Sequence, residues 1–241
     1  MTKSAILASA TAAIAAATSA LAGPLLTITG SVGGYAPITV TSNGADTATA
    51  GRYSYIGGTV SSFPSPDWAI SWDLVGESTS AFPTTTFVTN GFRIQNFTSS
   101  AKTFDIVLSL ATPGPTNPTM SCTALLGGTL TSDATGSTAT LTSVGALWTG
   151  QINGVSRATS ALMNNASVST ASTTSFGPST SAWNGTVSGA LATVGYRLQF
   201  TLGAKSTAVF TGYWDGQIVP TPGAFALVAL AGTVGRRRRT S

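Results

Sequence analysis

The chain has 241 residues, enough for one large domain or two small ones, and 42% of them are hydrophobic, which suffices for a sizeable core. Only 7% are charged, against the usual ~25%, so hydroxyl and amide side chains must supply the polar surface, and long surface helices are disfavoured. The formal charge of +4 does not indicate nucleic acid as a partner, because five of the eleven basic residues lie in the two tails and the other six are scattered among seven acids.

Residues 1–22 have the three parts of a secretory signal peptide. Lys3 supplies the basic start, an alanine-rich apolar stretch follows, and Ala20 and Ala22 are the small residues that signal peptidase requires. Cleavage after Ala22 would make Gly23 the first mature residue. The alternative is an alanine-rich helix belonging to the fold, which the lack of a charged face disfavours. The segment predicts export, with the secretion machinery and signal peptidase as partners.

Alternation of apolar and polar residues predicts strands through the body. The clearest is residues 67–74, where every second residue is large and apolar. The stretches 92–110 and 194–214 each contain two such runs around a polar turn and are predicted hairpins. Shorter strands are predicted at residues 26–29, 38–41, 120–125, 139–142 and 147–152.

Clusters of Gly, Pro, Asn and Ser separate these segments, and residues 113–118 and 167–181 are predicted long loops. Many short strands with turn signals between them indicate an all-β fold, an antiparallel β-sandwich or jelly-roll-like domain over residues 23–217. The signal helix precedes this domain. A hydrophobic helix is expected in the tail, residues 218–241.

The tail contains an uncharged apolar stretch, residues 223–235, that runs directly into Arg236, Arg237, Arg238 and Arg239. By the positive-inside rule the arginines stay in the cytoplasm while the body lies outside. A thirteen-residue helix reaches only about 20 Å, short of the ~30 Å hydrocarbon core, which makes a weak permanent anchor. The alternative is an ordinary C-terminal helix that packs on the domain, with the arginines as solvated caps.

The residues Val219, Pro220, Thr221, Pro222 and Gly223, followed by the apolar stretch and the arginine run, resemble the PEP-CTERM sorting tail of exosortase substrates. The resemblance implies a proline-flanked sorting motif, a short transmembrane helix and a cytoplasmic basic anchor. It further implies that an exosortase-like membrane cysteine transpeptidase acts near the motif. Pro220 and Pro222 match the family's two prolines, and Thr221 stands where Glu is usual. The resemblance covers residues 218–241 alone.

Few residues of the body suit catalysis. The chain has no histidine to activate a serine, and Lys102 and Lys205 fall in predicted turns, where we expect them to be solvated. Paired carboxylates could hydrolyse glycosides, and Asp67, Asp73 and Glu77 lie near the clearest strand. The two aspartates, however, occupy the polar face of what reads as an ordinary half-buried strand.

The chain offers little for metals or thiol chemistry. A single cysteine excludes an intramolecular disulfide, and thiol or imidazole metal sites lack ligands. Cys122 alternates with Met120 and Ala124, which predicts a buried, inert thiol. Asp46 and Asp133 lie in oxygen-rich turns that could hold calcium, but each turn has one carboxylate, so turn stabilisation is the preferred interpretation.

Two further patterns are weak. The acceptor triplets for glycosylation that begin at Asn96, Asn165 and Asn184 are expected by chance in a chain rich in Ser and Thr. Trp148 and Trp183 could stack on sugars, although buried aromatic residues are commoner.

Together these patterns predict an exported, non-catalytic bacterial protein of structural or adhesive type, without a cofactor. It is expected at the cell envelope, on the outer surface or in the extracellular matrix, anchored transiently in the inner membrane, with a surface polysaccharide as a candidate partner. One alternative is a carbohydrate-binding module, which needs exposed aromatic residues aligned on one face or loop end. The other is a secreted glycosidase, which needs two acids roughly 5–10 Å apart.

Overall fold

A computed structural model of the protein describes residues 23–62, 66–79 and 84–219. The predicted signal helix and C-terminal hydrophobic helix lie outside these ranges. The first seven strands are β1 (Leu25–Val32), β2 (Ile38–Asn43), β3 (Ala45–Asp46), β4 (Arg52–Ser61), β5 (Trp68–Thr79), β6 (Thr84–Asn96) and β7 (Lys102–Ala111). The next seven are β8 (Thr119–Ser132), β9 (Ala139–Ile152), β10 (Val155–Asn164), β11 (Ser167–Thr170), β12 (Thr173–Thr186), β13 (Thr193–Leu202) and β14 (Ser206–Val219).

The strands form two antiparallel sheets, which confirms the all-β prediction. Sheet A has the order β10-β9-β13-β7-β1-β2, with β11 paired to β9, and sheet B has the order β12-β8-β14-β6-β5-β4-β3. The four strands β6, β14, β8 and β12 of sheet B and the four strands β7, β13, β9 and β10 of sheet A have the connection order of a jelly roll. On one side of it β1 and β2 extend sheet A, and β5, β4 and β3 extend sheet B.

A single hydrophobic core fills the space between the inner faces of the two sheets. Strand β13 illustrates the alternation of buried and exposed residues: Tyr196, Leu198 and Phe200 face the core and are buried, while the residues between them are partly exposed. Aromatic rings join the two layers: the Phe200 and Phe210 centroids are 5.2 Å apart, and those of Trp148 and Trp214 are 5.5 Å apart. The sheets therefore pack face to face as a sandwich.

The two ends of the sandwich have different connections. At one end, here called the base, the segments 112–118 and 187–192 cross between the sheets, β1 begins and β14 ends. At the other end, the apex, lie the turns 33–37, 97–101 and 203–205. Leu25 and Val219 thus both lie at the base.

Both predicted hairpins are wrong. β6 and β7 lie in opposite sheets, and so do β13 and β14, so each turn crosses the apex instead of joining neighbours. Alternation reveals a buried face but not the sheet to which a strand belongs. Asn96 fixes both crossings, because its Nδ2 donates to the carbonyls of Ser100, Leu202 and Gly203 at 2.8–3.1 Å.

The predicted loop at residues 167–181 is also wrong, since it forms β11 and most of β12. Threonine is β-branched and suits a strand, and the Thr131 and Thr173 hydroxyls meet across the sheet at 3.1 Å. The segment 113–118 has no strand, as predicted. The other predicted strands are confirmed, although 139–142 and 147–152 belong to one strand, β9.

Candidate functional site

Two of the predicted processing residues are described, and both lie at the base. Gly23 is buried, its amide donates to the Gly44 carbonyl at 3.1 Å, and a Cβ there would overlap the Tyr53 ring. Val219 is the last residue of β14 and is 43% exposed. The fold therefore brings the predicted mature N-terminus and the start of the sorting motif to the same end of the sandwich.

The other processing residues lie outside the described ranges. They are Ala20, Ala22, Pro220, Thr221, Pro222, Gly223, Arg236, Arg237, Arg238 and Arg239. Within residues 23–62, 66–79 and 84–219, no helix is long and apolar enough to cross a membrane.

The apex holds a compact cluster of polar and aromatic groups. The Tyr35 hydroxyl donates to Asp67 Oδ2 at 2.5 Å, and the Lys102 Nζ lies 5.1 Å from the Tyr35 ring centroid. The hydrogen bond to Asp67 raises the pKa of Tyr35, because the neighbouring carboxylate disfavours the phenolate. Trp68 meets the Tyr35 ring edge-on at 6.0 Å. The cluster joins the β1–β2 turn to the start of β5.

An ion pair lies on the outer face of sheet A. Arg197 donates from Nε to Asp105 Oδ1 at 2.7 Å and from a terminal nitrogen to Oδ2 at 2.5 Å. These hydrogen bonds to Asp105 raise the pKa of Arg197. The pair is bidentate but about one third exposed, so it contributes modestly to stability. Around it the face carries mostly hydroxyl and amide groups, such as the Thr103–Thr201 pair at 3.0 Å.

The outer face of sheet B has a shallow depression of about 450 Å³. Gly127 of β8 lines it, and Pro178, from a bulge in β12, lies against Gly127. The side chains around it are uncharged: Leu125, Thr129, Ser175, Phe176, Pro178, Val209 and Thr211. Tyr213, paired with Leu125, is 37% exposed.

The candidate acids do not gather into one site. Asp67 belongs to the apex cluster, whereas Asp73 is exposed and Glu77 is half-buried along β5. Asp133 accepts from the Thr207 hydroxyl at 2.5 Å in its turn, and Asp46 is exposed in β3. Among the described residues, no three His, Cys, Asp or Glu side chains come close enough to hold a metal ion together.

Lys205 lies in the turn in which it was predicted, whereas Lys102 is the first residue of β7 and is half-buried. Lys205 is exposed and donates to the Phe97 carbonyl, and Lys102 lies over Tyr35 at the start of β7. Neither contact involves a serine hydroxyl, so the structure gives no Ser–Lys pair at these positions.

The prediction of a buried thiol is confirmed. Cys122 is 1% exposed, and burial, together with the negative charge of Asp215, raises its pKa to about 12, a rise that the charge of Arg157 partly offsets. Trp148 is buried in the core and contacts Tyr196 and Trp214. Trp183 is half-buried, and the Arg157 guanidinium lies 4.7 Å from its ring centroid. Neither tryptophan presents a free ring for a sugar.

The three glycosylation triplets differ in accessibility. Asn96 is fully buried and hydrogen-bonded at the apex, which excludes its side chain from modification in the folded state. Asn165 and Asn184 are exposed.

The two lateral sides of the sandwich are unlike. On one, the closed side, β10 and β11 of sheet A lie against β12 and β8 of sheet B, and Arg157 covers Trp183 there. On the other, the open side, β2 is the last strand of sheet A and has only β1 as an extensive neighbour, while β3 covers just two residues of β4. Sequence reasoning missed both Arg157 and this asymmetry, since alternation along a strand does not reveal its position in a sheet.

No protein-family model matches the chain, and no curated protein matches it. The fold class thus rests on the strands and sheets described above, and function must be argued from this chain's own residues.

Proposed function

We propose that the chain is an exported bacterial surface protein of structural or adhesive type, sorted through its C-terminal tail. The observation that carries the proposal is the position of Gly23 and Val219 at the base. A domain released by signal peptidase at one terminus and held by a membrane tail at the other would stand on its base. Its apex and both lateral sides would then be free to meet partners.

The surface chemistry supports the same proposal. Outer faces covered mainly by Ser, Thr, Asn and Gln hydrate well without a dense charge pattern, and they present many hydrogen-bonding groups. The core needs no disulfide, because it runs through both sheets. Such a domain acts by presenting a surface instead of by transforming a substrate.

The test follows the tail. Replacing all four arginines of the run with Gln in the full chain should change both localisation and C-terminal processing in an exosortase-bearing host, measured by fractionation and mass spectrometry. An N-terminus at Gly23 is expected in both proteins. Arg52→Gln, an exposed arginine in the body, is the matched control and should behave as wild type. Unchanged localisation and processing in the fourfold variant would overturn the proposed sorting.

A second candidate function is binding of a neutral polysaccharide at the depression on sheet B. The depression has an uncharged, largely apolar lining, and the exposed ring of Tyr213 lies beside it. These features suit a neutral sugar better than the charged groups of the apex cluster do. A glycan array probed with the full chain should show binding that Tyr213→Ala removes and Tyr35→Ala leaves. No binding to any glycan would reject it.

A further inference from the structure

We propose that the open side pairs with the open side of a second copy of this chain, through antiparallel hydrogen bonding of β2 to β2. The pair would extend sheet A across two molecules. This inference goes beyond the proposed function, because strand pairing between copies does not depend on export or on the tail.

Strand β2 has the features of an edge that is free to pair. Its residues Ile38–Asn43 are in regular register with β1, without a bulge, a proline or a charge. Natural edge strands are usually blunted by one of these devices or covered by another element. Since β2 in the described fold has neither protection, its outward backbone N–H and C=O groups are available to another strand.

The remaining edges differ from β2. Strand β12 carries a bulge with Pro178 and lies against β10, and β10 has its own register shift between Ser156 and Ala161. Strand β11 lies against β8 and β12. Strand β4 bulges at Gly57 and is partly covered by β3. The open edge of sheet A is therefore the favoured site.

The side chains of β2 fit a second copy. Ile38 and Val40 point inward and are only half-buried, while Thr39 and Thr41 are exposed on the outer face. A two-fold axis perpendicular to the sheet pairs inner residues with inner residues when Val40 or Thr41 lies on the axis. With Val40 on the axis, Val40 meets its symmetry mate and Thr39 meets Thr41; with Thr41 on the axis, Thr41 meets Thr41 and Val40 meets Ser42.

Charge does not oppose this pairing. Strand β2 brings no charge to the axis, so identical edges do not repel each other. An uncharged edge with half-buried apolar side chains is matched by an identical edge.

The pair has a defined polarity. Each β2 strand runs between the apex and the base of its own molecule. Antiparallel pairing of two β2 strands therefore places the base of one copy beside the apex of the other. If the tail anchors the base, as in the proposed function, the two copies come from facing membranes. Their pairing is then homophilic contact between cells, or assembly of released molecules.

Disulfide trapping in the full chain tests the pairing. If Thr41 lies on the axis, the Thr41→Cys variant alone should form a disulfide-linked dimer. If Val40 lies on the axis, an equimolar mixture of Thr39→Cys and Thr41→Cys chains should do so. In each case the opposed Cβ atoms lie within about 5.5 Å of each other. The control is Thr180→Cys, an exposed threonine on β12 of the closed side. The native Cys122 is buried and should stay silent.

We expect a cross-linked dimer in one of the two β2 experiments, at least tenfold above the control. Thr41→Lys should abolish dimers seen by sedimentation velocity, whereas Thr180→Lys should leave them unchanged. Equal, background cross-linking at positions 39, 41 and 180, or a wild-type chain that sediments as a monomer at every concentration, would overturn the pairing. Dimers that form while the arginine-run variant keeps normal localisation and processing would support the pairing and refute only the sorting proposal.

Discussion

The closed and open sides of the sandwich differ in how the hydrophobic core is covered. A two-layer sheet structure must cover its core where the sheets end laterally. On the closed side strands of opposite sheets lie against each other, and Phe176 and Leu162 are buried there. On the open side β2 ends sheet A, and Ile38, Val40 and Val60 remain only partly buried.

This difference assigns separate roles to two parts of one core. Residues on the closed side should contribute fully to the stability of the single chain, since their cover is intramolecular. Residues on the open side should contribute less in the single chain and more when a partner covers them. Substitutions matched between the sides can therefore break or sharpen the comparison.

The largest effect is expected from Phe176→Ala on the closed side. Phe176 is 6% exposed and its ring lies 5.6 Å from that of Phe210, so truncation leaves a cavity under β12. We expect a loss of about 3 kcal/mol in the free energy of unfolding, measured by urea titration. Phe176→Leu, which keeps most of the volume, should lose about 1 kcal/mol. If Phe176→Ala lost less than about 1 kcal/mol, the closed side would not be packed as described.

Trp183→Ala should have the next largest effect. The Trp183 ring is half-buried on the inner face of β12, next to Cys122 of the neighbouring strand β8. The Arg157 guanidinium lies over the ring. Its removal should cost about 2 kcal/mol through lost burial and the lost cation–π contact.

The same change should expose the thiol of Cys122 to a labelling reagent. Cys122 pairs directly with Trp183 across the β8–β12 ladder, so it reports opening of the closed side. We expect faster labelling in Trp183→Ala and wild-type labelling in Trp183→Phe, which keeps a ring. Labelling that is equally slow in all three proteins would show that the tryptophan does not guard the thiol.

The strands and buried faces could be predicted from the sequence because alternation is local. Trp68, Ile70 and Trp72 fall inside as their spacing requires. The burial of Cys122 followed from the same rule. The sheet to which a strand belongs is not local, and for that reason both apex crossings were mistaken for hairpins.

The contacts at the apex and on the closed side could not be predicted from the sequence, because the fold brings distant residues together. Tyr35 and Asp67 are 32 residues apart, and Arg157 reaches Trp183 from the other sheet. No spacing rule relates such pairs. The 167–181 segment failed for a different reason: a run of hydroxyl residues reads as a loop by composition, while the pairing of β12 with β8 makes it a strand.

Alkaline pH gives a smaller, graded effect on the closed side. Burial raises the pKa of Cys122 from 9.0 to about 12, so the folded chain keeps a proton that the unfolded chain loses above pH 9. The unfolded state then binds fewer protons, and stability falls as pH rises from 9 toward 12. At pH 10 wild type should lose about 1 kcal/mol more than Cys122→Ala does, relative to pH 8.

Parallel urea titrations of the two proteins at both pH values check this expectation. The cysteine-free variant removes the contribution of the thiol while keeping that of Tyr55, whose pKa is also raised by burial. Identical pH dependence in the two proteins would contradict a thiol held protonated by the core.

The smallest effect in the single chain is expected from Val40→Ala on the open side. Val40 is half-buried, so at low protein concentration the variant should lose about 1 kcal/mol or less in urea titrations. At concentrations where copies pair through β2, the same truncation should cost more, because binding adds stability that depends on concentration and Val40 is then covered on both sides. The loss for Phe176→Ala should not change with concentration, since its cover lies within one chain. A Val40→Ala loss that is equally constant would remove the distinction between the two sides.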